Sequence, residues 1–274
     1  PTERGSTGAQ HVVKGQIVLR DASINFENKK ALDAINLTIP AQGKIAVVGP
    51  SASGKSTLLR MFQGLLYPNS GVMEVDGQNF RSLDLNNYRN QVAMVDTHPV
   101  FFTGTIEENL RVVKPNISDR ELEEALDLSG FSRMIKDFPD GLSTEINQFG
   151  TSLSLGNRIA LSIARILIKQ PRILLLDEAL ANLDKTSQIW LLQNLEDIAR
   201  GRTLIWATHN LQFTANFDSI VVLESGHLAG QGTHVELLEN CNLYKELWEL
   251  DKSLSRVGMV DEKNTTIGNL RHGG

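Results

Sequence analysis

In the stretch Gly49-Pro50-Ser51-Ala52-Ser53-Gly54-Lys55-Ser56-Thr57, two glycines frame a loop that ends in a lysine and two hydroxyls. These groups can hold a polyphosphate. Glycine permits backbone angles closed to other residues, so successive N–H groups can turn toward phosphate oxygens at the positive end of a following helix. Lys55 adds a movable charge able to reach the β- and γ-phosphates of a nucleotide, and Ser56 offers a hydroxyl to Mg²⁺. The spacing is G-x-x-x-x-G-K-[ST], which requires a strand before it and a helix after it. Lys44-Ile45-Ala46-Val47-Val48 is a short apolar run, and Leu58-Leu59-Arg60-Met61-Phe62 continues with helical periodicity. A bare glycine turn without ligand is the competing reading, but with every fixed position filled and both flanks correct, nucleotide binding is favoured.

A second chemical cluster is Asp177-Glu178, directly after the apolar run Ile173-Leu174-Leu175-Leu176. A run that apolar belongs in a parallel sheet covered on both faces, and ligands of such sheets sit at the carboxyl ends of the strands. Adjacent strand residues point opposite ways, so Asp177 is expected to serve a metal shell while Glu178, at the strand exit, faces an attacking water. A solvated strand end would explain the pair equally well if it stood alone. It is accompanied by Leu153-Ser154-Leu155-Gly156-Asn157-Arg158 upstream, by Ala181-Asn182-Leu183-Asp184 downstream, and by Trp206-Ala207-Thr208-His209-Asn210 at the end of the next apolar run.

The elements that must position these groups follow from periodicity and turn residues. Residues 16–26 and 34–39 read as strands leading to the cradle strand at 45–48, and a helix is expected over 54–66. Strands are expected at 72–77 and 92–95 with a brief helix at 85–89 between them, then helices over 118–137 and 156–168. Beyond 173–176 the expected pieces are a helix over 187–199, a strand over 203–207, a short helix over 211–215 and a strand over 219–223. A turn at Glu224-Ser225-Gly226 and helices through residue 254 complete the pattern.

The 274 residues carry 27 basic and 32 acidic side chains, a formal charge of −5, which gives no broad electrostatic footprint for nucleic acid. The single cysteine, Cys241, excludes an intrachain disulfide and offers no metal-ligand spacing. No apolar run approaches the roughly 18 residues of a membrane-spanning helix, and no signal-peptide core is present at the N-terminus. Residues 1–15 read as a linker or fragment edge and 255–274 as a polar tail expected to be disordered.

Over about residues 16–250 the order of these motifs resembles the nucleotide-binding domain of an ATP-binding cassette (ABC) transporter. In that light 49–57 looks like Walker A, 173–178 like Walker B, Ala181 to Asp184 like the D-loop, the run from Leu153 like the signature, and His209 like the switch histidine. The segments Phe101-Phe102-Thr103-Gly104-Thr105-Ile106-Glu107-Glu108-Asn109-Leu110 and Gly230-Gln231-Gly232-Thr233-His234-Val235-Glu236-Leu237-Leu238 resemble those of exporters more than importers. The resemblance implies an α/β fold: a P-loop NTPase (RecA-like) core with an antiparallel β sheet leading into it and an inserted α-helical subdomain at about 105–170, all within a domain spanning 16–254. It implies ATP and Mg as cofactors and a transport-coupled ATPase that drives export, of low activity in isolation. Catalysis would fall to Glu178, His209 and Lys55. Nucleotide binding would fall to Gly49, Pro50, Ser51, Ala52, Ser53, Gly54, Lys55, Ser56, Thr57, Asp177, Ser154, Gly156 and Asp184, and metal binding to Ser56, Asp177 and Thr97. The implied partners are a second nucleotide-binding domain, head to tail in a homo- or heterodimer, and a transmembrane domain of the same transporter at the cytoplasmic face of a membrane, with no nucleic acid.

The sequence departs from the family's pattern in four places. No aromatic stands at Asn28, where one would stack on adenine, although neighbouring Phe26 could substitute. Thr97 replaces the Q-loop glutamine, Leu155 and Asn157 replace a glycine and a glutamine of the signature, and Gln148 replaces a glutamate. These losses favour an alternative function, a regulatory half of an exporter that holds nucleotide with little or no turnover. Intact Glu178 and His209 favour the enzyme. A soluble ABC protein of translation or DNA repair is disfavoured by the exporter-type segments.

Overall fold

Alternation in the first strands builds one face of a core. The computed structural model describes residues 12–27, 29–96, 99–178, 183 and 185–253. Strand β1 (Ile17–Phe26) buries Ile17, Leu19, Ala22 and Ile24, and β2 (Lys29–Ile39) pairs with it antiparallel. The apolar β3 (Lys44–Val48) then leads into helix α1 (Lys55–Phe62). Expected to run to residue 66, α1 stops earlier because Gly64 turns the chain at φ 78 and its N–H is donated to Met61 O. Next come β4 (Ser70–Val75), which pairs with β1, the short β5 (Gln78–Asn79), helix α2 (Leu85–Gln91) capped by Asp84, and β6 (Val92–Val95).

The helical insertion begins with β7 (Gly104–Thr105) and α3 (Ile106–Arg111), whose Thr105 and Glu108 form a reciprocal cap. Ser118 and Glu121 do the same for α4 (Asp119–Ser129), which is followed by α5 (Phe131–Met134) and β8 (Glu145–Ile146). Helix α6 (Leu155–Lys169), capped by Ser154, returns the chain to the fully buried β9 (Ile173–Asp177). The single helix expected over 187–199 is two, α7 (Lys185–Gln193) and α8 (Leu195–Ala199). The break falls at Asn194, whose side-chain amide donates to Trp190 O, a local bond that competes with helix continuation. After β10 (Thr203–Ala207) the expected helix at 211–215 is only a 3-10 turn, Leu211–Phe213. The hairpin turn after β11 (Ser219–Glu224) leads into a strand that the sequence reading omitted, β12 (His227–Gly232), before α9 (His234–Asn240) and a helix whose described part is 242–253.

Two sheets result. The antiparallel sheet has the order β2-β1-β4-β5 and the six-stranded sheet the order β12-β11-β3-β10-β9-β6, parallel except for the edge strand β12. Alternate residues of the parallel strands serve different cores. Ile45, Val47, Leu175 and Ile205 pack with α1 and the antiparallel sheet, whereas Ala46, Val48, Leu174, Leu176 and Trp206 pack with α6 and the inserted helices. This double coverage explains why β9 and β10 are apolar at nearly every position. No helix among the described residues is long and apolar enough to cross a membrane.

Candidate functional site

The order β3-β10-β9 sets the carboxyl ends of three parallel strands side by side, and each delivers part of the site. From β3 the chain enters the glycine-framed loop. Gly49 sits at φ 150, and a Cβ there would lie 2.1 Å from Leu223 O, so the loop can approach β11 this closely only without a side chain. The loop is tied down on its far side: Gly226 N–H donates to Ser53 O at 3.0 Å, and Asp33 N–H donates to Gly226 O at 2.8 Å. The Ser53 hydroxyl is buried beneath the loop without a hydrogen-bond partner, a polar group consistent with a bound anion or water.

Lys55 opens α1 and is buried. Its Nζ donates to Gly49 O at 2.9 Å and Pro50 O at 3.0 Å, so the loop's own carbonyls aim the ammonium into its curl. Burial lowers its pKa, against the opposing effect of Glu178 and Asp177. The next residue, Ser56, donates its hydroxyl to Asp177 Oδ1 at 3.1 Å. Asp177 is the last residue of β9, and burial pushes its carboxyl pKa up while the Ser56 bond pulls it down.

Glu178 does not follow the alternation expected of a strand. It takes φ 49, a left-handed conformation costing on the order of 1–3 kcal/mol for a residue with a side chain, while its N–H donates to Ala207 O at 2.9 Å. This turn brings both carboxylates toward the loop instead of sending them to opposite faces. Glu178 Oε1 lies 2.7 Å from His209 Nε2 and 3.9 Å from Lys55 Nζ. His209 follows β10 directly after Thr208, whose N–H donates to Val47 O at 3.1 Å and seats this strand exit beside that of β3.

Lys55, Ser51 to Thr57, Glu178 and His209 line one cleft of about 650 Å³. Its far wall includes Phe26, 48% exposed at the end of β1, together with Lys29 and Lys30. An aromatic therefore faces this cleft, two residues before the position where the sequence reading sought one. Asn28 itself lies outside the described residues, as do Thr97, Ala181, Asn182 and Asp184. Leu183 is buried in the core with α6 and α7.

Ser154 and Gly156 are not brought to this cleft. Ser154 is exposed and accepts the Asn157 N–H at 3.1 Å at the start of α6. Leu155 is half-buried and leans onto the core beneath that helix. Gln148 is exposed, and its backbone carbonyl accepts the Phe101 N–H at 3.0 Å. Ser225 and Gly226 build part of the wall, a role that sequence reasoning missed although it placed a turn at Glu224-Ser225-Gly226.

Residues 32–181 match the family model described as ABC transporter. The chain is 35% identical over 243 residues to the mitochondrial iron-sulfur clusters transporter ATM1 of Gibberella zeae, covering 88% of this chain and 35% of that protein. It is 33% identical over 266 residues to ATP-binding cassette sub-family B member 5 of Mus musculus, covering 95% of this chain and 21% of that protein. Among solved structures, a bacterial Atm1-family ABC exporter with ATP bound superposes with a TM-score of 0.83 at 30% identity, over 87% of this chain and 42% of that chain. The chain thus spans less than half the length of each of these relatives.

Proposed function

The chain belongs to the ABC transporter family, and from that premise we propose that it is the nucleotide-binding domain of an exporter, which hydrolyses MgATP at the cytoplasmic face of a membrane to drive export. The observation that carries this assignment is the meeting of Lys55, Glu178 and His209 at the mouth of the glycine-framed loop, beside the Ser56–Asp177 pair.

Ser56 and Asp177 suit Mg²⁺, because a hydroxyl and one carboxylate are hard oxygen donors that leave the remaining positions to phosphate and water. Held by Ser56 and Asp177, Mg²⁺ would supply positive charge against the negative charge that develops on the phosphates. The loop N–H groups and Lys55 hold the phosphates, and Glu178 orients the attacking water and accepts its proton. His209, 2.7 Å from that carboxylate, fixes its direction. Phe26 takes the role of the adenine platform. Phe26→Ala is expected to weaken MgATP binding about fivefold to two-hundredfold, the effect of losing roughly 1–3 kcal/mol of stacking. Calorimetric titration checks this, and an unchanged Kd would remove Phe26 from the site.

The remaining assignments follow the resemblance. Ser154 and Gly156 act on the nucleotide of a second domain docked head to tail, and Asp184 and Thr97 keep the D-loop and Q-loop roles. A transmembrane domain of the same transporter docks on the helical part at about 105–170, the domain as a whole spans 16–254, and no nucleic acid is bound. Leu155 supports a second reading, a regulatory half with little turnover, because its branched side chain starts the helix that would face the partner's phosphates. Restoring the signature with Leu155→Gly and Asn157→Gln should raise ATP-dependent dimerisation and turnover of the chain. No gain, measured by sedimentation and phosphate release, would mean that the signature does not limit a homodimer.

A further inference from the structure

The turn that follows His209 is held from the far end of the chain. Asn210 occupies the cap position of the 3-10 turn Leu211–Phe213, yet its side chain makes no capping bond and its Oδ1 is buried without a partner. The cap comes instead from Asp251, in the helix at 242–253. Its Oδ2 accepts the Leu211 N–H at 3.0 Å and the Gln212 N–H at 3.2 Å, which satisfies both leading donors of the turn with one carboxylate oxygen. Buried Tyr244 seats the same helix in the core, and within the turn the Thr214 hydroxyl donates to Leu211 O at 2.7 Å. His234 Nδ1 lies 2.8 Å from the Tyr244 hydroxyl, and its ring packs on Trp248 of that helix at a centroid separation of 4.4 Å, so the helix is itself anchored to α9.

On the other side of the turn, only Asn210 separates Leu211 from His209, and the Asn210 N–H is fixed by Thr208 Oγ1 at 3.1 Å. The imidazole of His209 is 48% exposed and is directed by this short backbone segment and by its contact with Glu178. We propose that Asp251 is a positioning residue for the hydrolytic site: by capping the turn directly after His209, the C-terminal helix holds that histidine in register with Glu178. The proposal rests on the role assigned to His209 above. It makes the C-terminal helix a part of the catalytic apparatus, through which any contact that moves this helix would reach the reacting end of the cleft.

The test uses the 274-residue chain and three variants, with amide hydrogen exchange followed without nucleotide and steady-state hydrolysis followed with MgATP. Asp251→Ala should speed exchange at Leu211 and Gln212 by about fivefold or more, the effect of losing a helix cap. It should lower kcat by about tenfold to a hundredfold with KM for ATP nearly unchanged, as expected when a reacting group is misplaced. Asp251→Asn keeps an acceptor oxygen and the side-chain shape, so it should recover much of both effects, and it carries the test if the alanine variant fails to fold. Adding Asp251→Ala to His209→Ala should cause little further loss of kcat, because the two act through one group. Faster exchange with unchanged kcat, or a full additional loss on top of His209→Ala, would overturn the proposal and leave Asp251 a structural cap. Unchanged turnover in His209→Ala alone would instead overturn the site assignment on which it rests.

Discussion

Glu178→Gln should lower ATP turnover by about 10²–10⁴-fold, the range for loss of a positioned general base, while MgATP still binds with nearly unchanged affinity. Glutamine preserves the length of the side chain and its reach toward His209, so the expected loss reports charge and basicity rather than shape. The geometry makes this a large effect. Glu178 is held at φ 49, its carboxylate 2.7 Å from His209 Nε2 and 3.9 Å from Lys55 Nζ, an arrangement maintained against backbone strain. Phosphate release and calorimetric titration on the same preparations separate the two quantities. Turnover equal to that of the unsubstituted chain would remove Glu178 from the mechanism.

Lys55→Ala is expected to abolish most nucleotide binding, weakening MgATP affinity by about a hundredfold or more if two charge-assisted hydrogen bonds to phosphate are lost. Lys55 is 4% exposed, and its ammonium bonds Gly49 O and Pro50 O, so the alanine variant also leaves those carbonyls without their donor. Lys55→Met, which keeps most of the buried stem, separates loss of charge from loss of packing. Both variants should bind weakly when titrated, and thermal unfolding should show the methionine variant closer in stability to the unsubstituted chain. An affinity equal to that of the unsubstituted chain in either variant would contradict the phosphate-cradle assignment.

The glycine-framed loop was legible in the sequence because it is local: strand, glycine loop, lysine and hydroxyl are consecutive, and periodicity supplied both flanks. The meeting of Lys55, Glu178 and His209 is not local. It depends on the parallel order β3-β10-β9, which no spacing by itself specifies. Treating Glu178 as a strand residue assigned it the wrong geometry, because alternation ends at Asp177 and the left-handed turn follows. The sequence offers Phe26 as a substitute for an aromatic at Asn28, but counting along it does not tell which residue of a strand end overhangs a cleft. β12 was missed because its run of small and polar residues lacks the β-branched signal of a strand and is held only as an antiparallel edge on β11. The Asp251 cap joins residues 40 positions apart and has no sequence signature.

On the function proposed above, this cleft hydrolyses ATP and does not merely hold it. The most direct measurement is phosphate release by the unsubstituted chain at saturating MgATP, with and without EDTA, over a range of protein concentrations. A working head-to-tail site predicts release above background that vanishes when Mg²⁺ is chelated and rises more steeply than in proportion to protein concentration. Saturable MgATP binding by calorimetry with no Mg²⁺-dependent phosphate release at any concentration would contradict it and leave a nucleotide-holding module in its place.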